Sequence, residues 1–431
     1  MTSSSSIAMI AALSDKRQSF LRARRKVLLA TMFCYLFFYT GRQTFGFAIP
    51  GIQAEFGVSK ETLGWVSAAL LWCYAIGQAI NGNLGDKLGG RTVMSAGAIL
   101  SCATNWAVSF STGLLSLGFL WGLNGYFQAM GWAPGSRVLS NWFGPGDRGK
   151  VFGCYVFAAG MASVLSFVTS ILVVHIFEME WRWIFRIPVL LMLLGGLTFF
   201  FVARERPEDL GFGSPHASER EAVSETSEES SMQRYRAVLS NWRIWMGGLA
   251  IGFQNAARYG LLVWVPVHFI GGDGAAAAGT GSLIAPEWTT IALPVGMAIG
   301  AATNGYISDR YFATRRYVAI VLYMTLATAM ALLMYGIPAA SVHLGLAVLF
   351  LCGFFVYGPQ ASFWALCPDL VGHRRAGTAV GVMNFFAYLF AGLGEPLIGK
   401  VMDSSGTTSV IFLLVAMASG ASAVTASFIR R

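Results

Sequence analysis

An all-α membrane protein, with twelve transmembrane helices in two pseudo-symmetric six-helix bundles, is what three features of this 431-residue sequence predict. Only 12% of the residues are charged and the mean hydropathy is +0.59, where a soluble domain carries about 25% charge. Apolar windows of the roughly 20 residues needed to cross the hydrocarbon core recur about a dozen times with short connections. A single long polar break divides the chain near its middle, and the two parts repeat each other. The windows leave no length for a soluble catalytic domain, and no G-x-x-x-x-G-K-[ST] nucleotide signature occurs. No enzyme activity and no cofactor are expected.

Segment 1–26 opens on serines and closes on Arg22, Arg24, Arg25 and Lys26 just before the first span. A cleaved signal peptide would place its apolar stretch after the basic cluster, so this segment reads as a basic anchor. The first bundle then covers 27–203, a linker 204–241 and the second bundle 242–429. Positive residues recur at alternate loops: Lys87 and Arg91, Arg148 and Lys150, Arg310 with Arg315 and Arg316, Arg374 with Arg375, then Arg430 and Arg431. The positive-inside rule then places both termini in the cytoplasm and requires an even number of spans. The net charge of +9 is therefore spent on topology, and nucleic acid is not an expected partner. The linker, rich in Glu and Ser, has the composition of a disordered segment. Cys34, Cys73, Cys102, Cys154, Cys352 and Cys367 lie in apolar windows without a C-x-x-C pair, so they read as small buried side chains, with neither disulfide nor metal site.

The repeat is specific. Asn81-Gly82-Asn83-Leu84-Gly85-Asp86-Lys87 is echoed by Asn304-Gly305-Tyr306-Ile307-Ser308-Asp309-Arg310, with Asp309 standing 223 residues after Asp86. Arg148-Gly149 leading to Gly153 is echoed by Arg375-Ala376-Gly377 leading to Gly381, 227 residues on. Two similar offsets on different helices indicate duplicated halves. The Gly-x-x-x-Asp-(Lys/Arg) element, Gly82 to Arg91 in its first copy, resembles the loop signature of the major facilitator superfamily. Asp86, Arg91, Asp309 and Arg310 are accordingly assigned to gating or packing.

Chemistry is concentrated in Cys34-Tyr35-Leu36-Phe37-Phe38-Tyr39-Thr40-Gly41-Arg42-Gln43-Thr44-Phe45-Gly46, where a full cation interrupts an apolar run. A guanidinium near the bilayer midplane costs roughly 2.5 to 3.5 kcal/mol on insertion scales, so it marks a functional position. Tyr35, Tyr39, Arg42 and Gly46 fall at i, i+4, i+7 and i+11, which places them on one helical face. The second half supplies Arg258, 216 residues on, in Gln254-Asn255-Ala256-Ala257-Arg258-Tyr259-Gly260. Each arginine then lies about 24 Å along its helix, and paired transporter halves bind substrate at that depth. Two cations facing one cavity call for a bridging anion, and planar forks suit phosphate oxygens. The alternative is that each arginine pairs with an intramembrane acid. Glu395, the one carboxylate well inside a window, is available to only one of Arg42, Arg137 and Arg258; it is also a candidate proton carrier.

These stretches together resemble the organophosphate:phosphate antiporters of the superfamily, over nearly the whole chain. The resemblance rests on the tyrosines and Arg42 of the first helix and Phe127 to Pro134 of the fourth. It also rests on Arg258-Tyr259-Gly260 through Trp264 and Pro266, and on Tyr357-Gly358-Pro359. It implies that Arg42 and Arg258 hold phosphate, that Tyr35, Tyr39 and Tyr388 line the cavity, and that a phosphorylated organic anion is exchanged for inorganic phosphate by alternating access. A monomer in a bacterial inner membrane is expected. Two positions depart from the glycerol-3-phosphate carriers: Gln78 stands in place of a lysine and Ala159 in place of a histidine. Gln78, Asn124, Gln128, Asn255 and Asn384 are candidates either to bind hydroxyls of a larger sugar phosphate or to serve as interhelical contacts.

Overall fold

The computed structural model describes residues 3–213, 231–271, 286–312, 315–337, 341–372 and 375–430. Among them every regular element is helical. The first half comprises α1 (Ser3–Phe38), α2 (Phe45–Phe56), α3 (Lys60–Leu88), α4 (Gly90–Val108), α5 (Leu114–Gln128), α6 (Trp132–Trp142), α7 (Pro145–Ile171) and α8 (Pro188–Val202). A short helix α9 (Ser231–Leu239) precedes the second half, so the linker is not wholly irregular. There follow α10 (Trp242–Gly271), α11 (Pro286–Thr289), α12 (Ala292–Phe312), α13 (Arg316–Gly336), α14 (Val342–Tyr357), α15 (Gln360–Val371), α16 (Ala376–Ser405) and α17 (Val410–Ser427).

Six segments among the described residues are by themselves long and apolar enough to cross a bilayer: 151–176, 181–202, 316–336, 342–371, 377–405 and 410–427. The remaining long helices carry the polar residues of the interior, such as Asn81 on α3 and Gln254, Asn255 and Arg258 on α10, which dilute their hydropathy. Of the six free cysteines, Cys154 is exposed and not buried as its sequence context suggests.

The duplicated asparagines do equivalent work. Asn81 Nδ2 donates to the Tyr126 carbonyl on α5 at 3.2 Å, and Asn304 Oδ1 accepts from Ser362 Oγ on α15 at 2.7 Å. Close approach relies on glycine in both halves. A Cβ on Gly125 would overlap the Leu70 carbonyl, and one on Gly353 the Leu293 carbonyl.

Both termini lie at one end of the molecule, the terminal end. There Arg24 pairs with Asp147 at the start of α7 at 2.7 Å, and Phe20 packs on Trp142 and Phe212. In the second half Ile429 approaches Gly247, and Asn241 donates to the Leu370 carbonyl. Glu205, which belongs to the linker by sequence, is built into this end. Its carboxylate accepts from the backbone N–H groups of Gly90 (3.0 Å) and Arg91 (2.9 Å), capping α4, and Arg137 Nε lies 3.4 Å away. Those groups would otherwise be orphaned donors at a helix start. Arg91 itself donates from Nε to the Phe200 carbonyl at 2.8 Å. It stands at the terminal end, and Arg310 is exposed at the end of α12; the side chains of Asp86 and Asp309 lie outside the described residues.

The halves meet at the opposite, far end. A Cβ on Gly64 of α3 would come within 2.5 Å of the Pro396 backbone of α16, and one on Gly399 would overlap the Lys60 carbonyl. Gly46 of α2 abuts the Val263 carbonyl of α10, and Gly392 abuts the Trp72 indole. Asp403 of α16 accepts from the Glu61 N–H at 2.9 Å and lies 3.6 Å from Lys60 Nζ, so the start of α3 is capped by the other half. Nearby, Arg182 and Trp181 hydrogen-bond the Glu55 carboxylate, which holds that carboxyl below its usual range. One buried apolar cluster joins far-end residues of the first half, such as Ile49 and Trp181, to the second half as far as Ile429. A second, around Tyr35, Met94, Trp142 and Phe199, belongs to the first half alone. Among the described residues the first half contributes to this shared core through its far-end side chains.

Candidate anion site

The first span is not the continuous helix that its apolar pattern suggests. After α1 the chain makes a single 3₁₀ turn, Tyr39–Gly41, and Arg42 leaves helical geometry at φ −142°, ψ −25° before α2 resumes at Phe45. The face shared by Tyr35, Tyr39, Arg42 and Gly46 is therefore interrupted. Breaking the helix frees the Gly41 carbonyl, which accepts from Asn124 Nδ2 at 2.6 Å and from Asn105 Nδ2 at 3.2 Å. A Cβ at Gly41 would meet Gln128 Nε2 at 2.5 Å, so a larger residue there would displace the Gln128 side chain from this network. Ser166 donates to the Tyr39 carbonyl at 3.1 Å. Buried backbone polar groups need such partners, and these fix the turn that presents Arg42.

This network decides between the two roles open to the amides. Asn124 and Gln128 are buried and engaged, Gln128 Nε2 donating to Ser101 Oγ at 2.8 Å and Asn124 Oδ1 accepting from Ser101 at 2.6 Å. They are interhelical contacts. Asn255 is buried too and donates to the Ile251 carbonyl and to Gln254 Oε1. Gln78 is half-buried on α3, one turn beyond Tyr74, and Asn384 is half-buried on α16.

Arg42 and Arg258 are 8% and 5% exposed, although no element of their own sequence neighbourhood offers a counter-charge. Among the described residues no carboxylate pairs with either. Arg137, the third candidate partner for Glu395, is engaged by Glu205 instead. What surrounds the two guanidiniums is tyrosine. Arg42 stacks 4.1 Å from the Tyr39 ring centre and 4.8 Å from Tyr74; Arg258 lies 4.0 Å from Tyr357 and 5.0 Å from Tyr259. Arg42 and Tyr259, from opposite halves, line one small cavity. Tyr388 bridges the halves, 4.6 Å from Tyr74 and 5.9 Å from Tyr259. Tyr35 packs on Tyr39 and Tyr155, and Ala159 belongs to the same buried cluster. Ring faces offset part of the cost of burying a cation, about 2 kcal/mol when desolvated, but they supply no net negative charge. Among the described residues the Nε atoms of both arginines have no hydrogen-bond acceptor. Two buried cations from opposite halves, each against tyrosine faces and without a carboxylate partner among the described residues, are candidates for holding an anion.

Sequence alone does not single out Tyr74, Tyr155, Tyr259 and Tyr357 as site residues. A tyrosine in an apolar run has the same local signature whether it faces a cavity or the membrane interface. Spacing offers one clue: Tyr74 sits one turn before Gln78.

The helical fold, with its repeated halves, is that of a membrane carrier. The chain belongs to the Major Facilitator Superfamily, whose model matches residues 31–395. It is 27% identical to a probable hexose phosphate transport protein of Chlamydia pneumoniae, covering 92% of this chain and 89% of that one. It is likewise 27% identical to the glycerol-3-phosphate transporter of Bacillus subtilis (strain 168), over 91% and 89%. The membrane sensor protein UhpC of Escherichia coli (strain K12) is 25% identical over 93% and 91%. In fold it is similar to a bacterial homolog of the human lysosomal transporter Spinster in an inward-facing, unoccupied conformation. There the TM-score is 0.68 at 15% identity, over 94% and 95% of the chains.

Proposed function

We propose that the protein is a secondary active transporter that exchanges a phosphorylated organic anion for inorganic phosphate by alternating access. The observation that carries this reading is the pair Arg42 and Arg258, buried on opposite halves with tyrosine faces and no carboxylate partner among the described residues. A divalent phosphate monoester bridges them with planar, bidentate contacts, and binding energy that draws the halves together lowers the barrier between open states. The terminal end faces the cytoplasm, the far end faces outward, and the protein acts as a monomer in a bacterial inner membrane. The names of the relatives support a sugar phosphate or related ester as cargo.

Counterflow in proteoliposomes tests the exchange. Labelled inorganic phosphate should enter only when phosphate or a phosphate monoester is present inside. Binding without flux would mean a sensor, as the name of one relative describes.

Gln78 and Ala159 bear on the choice of cargo. Without a second-helix lysine and a fifth-helix histidine, Arg42 and Arg258 supply the main counter-charge, so a single phosphate group is favoured over two. Ala159 leaves the volume of an imidazole beside Tyr155 for a larger organic group. Glycerol 3-phosphate should therefore compete less well than a hexose phosphate, and Ala159→His with Gln78→Lys should shift preference toward it. A wild-type protein that already prefers glycerol 3-phosphate overturns this reading.

One observation favours a second reading, proton-coupled symport of an organic anion. Glu395 is fully buried at the seam and, among the described residues, neither of its oxygens has a hydrogen-bond partner at bonding geometry; the Trp264 indole and the Ser67 hydroxyl face it. Glu395→Gln should flatten the pH dependence of uptake, measured with no phosphate inside. An unchanged profile removes the residue from any coupling role.

A further inference from the structure

The break in the first span places a second side chain beside Arg42. Gln43 lies in the non-helical segment between the 3₁₀ turn and α2 and is 5% exposed. Among the described residues it is the amide in which both polar atoms, Nε2 and Oε1, are buried without a hydrogen-bond partner. Asn105, Asn124 and Gln128, its neighbours in the same half, all have their amide nitrogens engaged by Gly41 or Ser101. Gln43 instead lines a small cavity whose polar wall is completed by Arg42, Ser67 and Tyr259, with Trp121 and Leu262 among its apolar lining. The Tyr259 hydroxyl and Arg42 Nε also lack partners. Buried polar atoms are ordinarily satisfied, and each exception needs a cause.

We propose that Gln43, together with Ser67 and Tyr259, is a subsite that reads a hydroxyl group on the cargo, carried on a carbon close to the phosphate held by Arg42 and Arg258. This rests on the organophosphate reading and adds the chemistry of the ester's organic part. An amide offers two donors and one acceptor, which matches a hydroxyl that both gives and takes a hydrogen bond. Being neutral, the amide adds nothing to the affinity for phosphate itself, so it discriminates between esters. Tyr259 belongs to the opposite half, so a hydroxyl bound to both Gln43 and Tyr259 links the halves beside the charge pair. An unsubstituted alkyl ester leaves the Gln43 amide and the Tyr259 hydroxyl unpaired and is rejected on that ground.

Competition against labelled inorganic phosphate, with purified protein in proteoliposomes, tests the assignment. The probes are glucose 6-phosphate and cyclohexylmethyl phosphate, of similar size and with and without hydroxyls. Wild-type protein should prefer glucose 6-phosphate, and Gln43→Leu should reduce that preference about tenfold, the scale of one hydrogen bond. The affinity for inorganic phosphate should stay within about twofold by the same reasoning. Gln43→Asn, which keeps the amide but withdraws it from the cavity, should lower the preference in the same direction and covers the case in which Gln43→Leu fails to fold. An unchanged preference in both variants overturns the proposal, and so does an equal loss for phosphate and both esters. A wild-type protein that binds none of the three phosphates overturns the organophosphate reading itself.

Discussion

Arg258→Lys is expected to lower phosphate counterflow about a hundredfold, ~2.7 kcal/mol, with normal insertion in the membrane. The charge is retained, so the loss isolates the planar fork. Arg258 stacks on Tyr357 at 4.0 Å, a contact that a tetrahedral ammonium on a flexible stem reproduces poorly, and the ammonium makes no bidentate contact with phosphate. Arg42→Lys should behave alike, because Arg42 stands in the same relation to Tyr39. Uptake in proteoliposomes together with equilibrium phosphate binding measures both steps. Normal flux in either variant would show that these cations hold the bundle together and do not hold the cargo.

The second large effect concerns the seam. Gly64→Val should abolish net exchange while leaving phosphate binding measurable, because a side chain there meets the Pro396 backbone and the Glu395 carbonyl. Neither is the end of a flexible side chain, so the contact is relieved only by parting α3 from α16. The far end would then stay open. A cysteine introduced on the cavity side of that end should react with an impermeant thiol reagent faster than in the parent protein. Gly113→Val is the control, since nothing lies within 4 Å of a Cβ at that position. Full exchange by Gly64→Val would mean that closure of the far end does not depend on this contact.

The helical membrane class is legible because composition and repeat spacing are properties of the whole chain. Membership in the superfamily is legible because Asn81 to Lys87 recurs in register. Arg42 and Arg258 stand out because a cation in an apolar run is costly to insert and is kept only where it has work to do. The break at Arg42 is harder to see: Gly41, Gly46 and Pro50 mark a weak helix, but the interruption depends on Asn105 and Asn124 receiving the Gly41 carbonyl from helices far along the chain. For the same reason the amides cannot be sorted by sequence. Asn124 and Gln43 are the same kind of group in the same kind of run, and only packing shows that one is engaged and the other is not. Glu205 has the sequence context of a linker because it follows the last apolar window of its half, whereas it caps α4 from more than a hundred residues away.

The start of α3 has a split allegiance. Its first cap is local, the Thr62 N–H donating to Ser59 Oγ at 3.1 Å, and its second belongs to Asp403 on the other half. In the proposed alternating-access cycle, opening of the far end hands that second donor and the Lys60 ammonium to water and dissolved ions. Closure in that cycle is therefore an exchange of solvent for protein at a charged rim, and its free energy is set partly by the electrolyte that this end faces. Screening lengths near 8 Å at physiological ionic strength shorten to about 3 Å at 1 M salt, so a carrier built this way rests more open in brine than in fresh water.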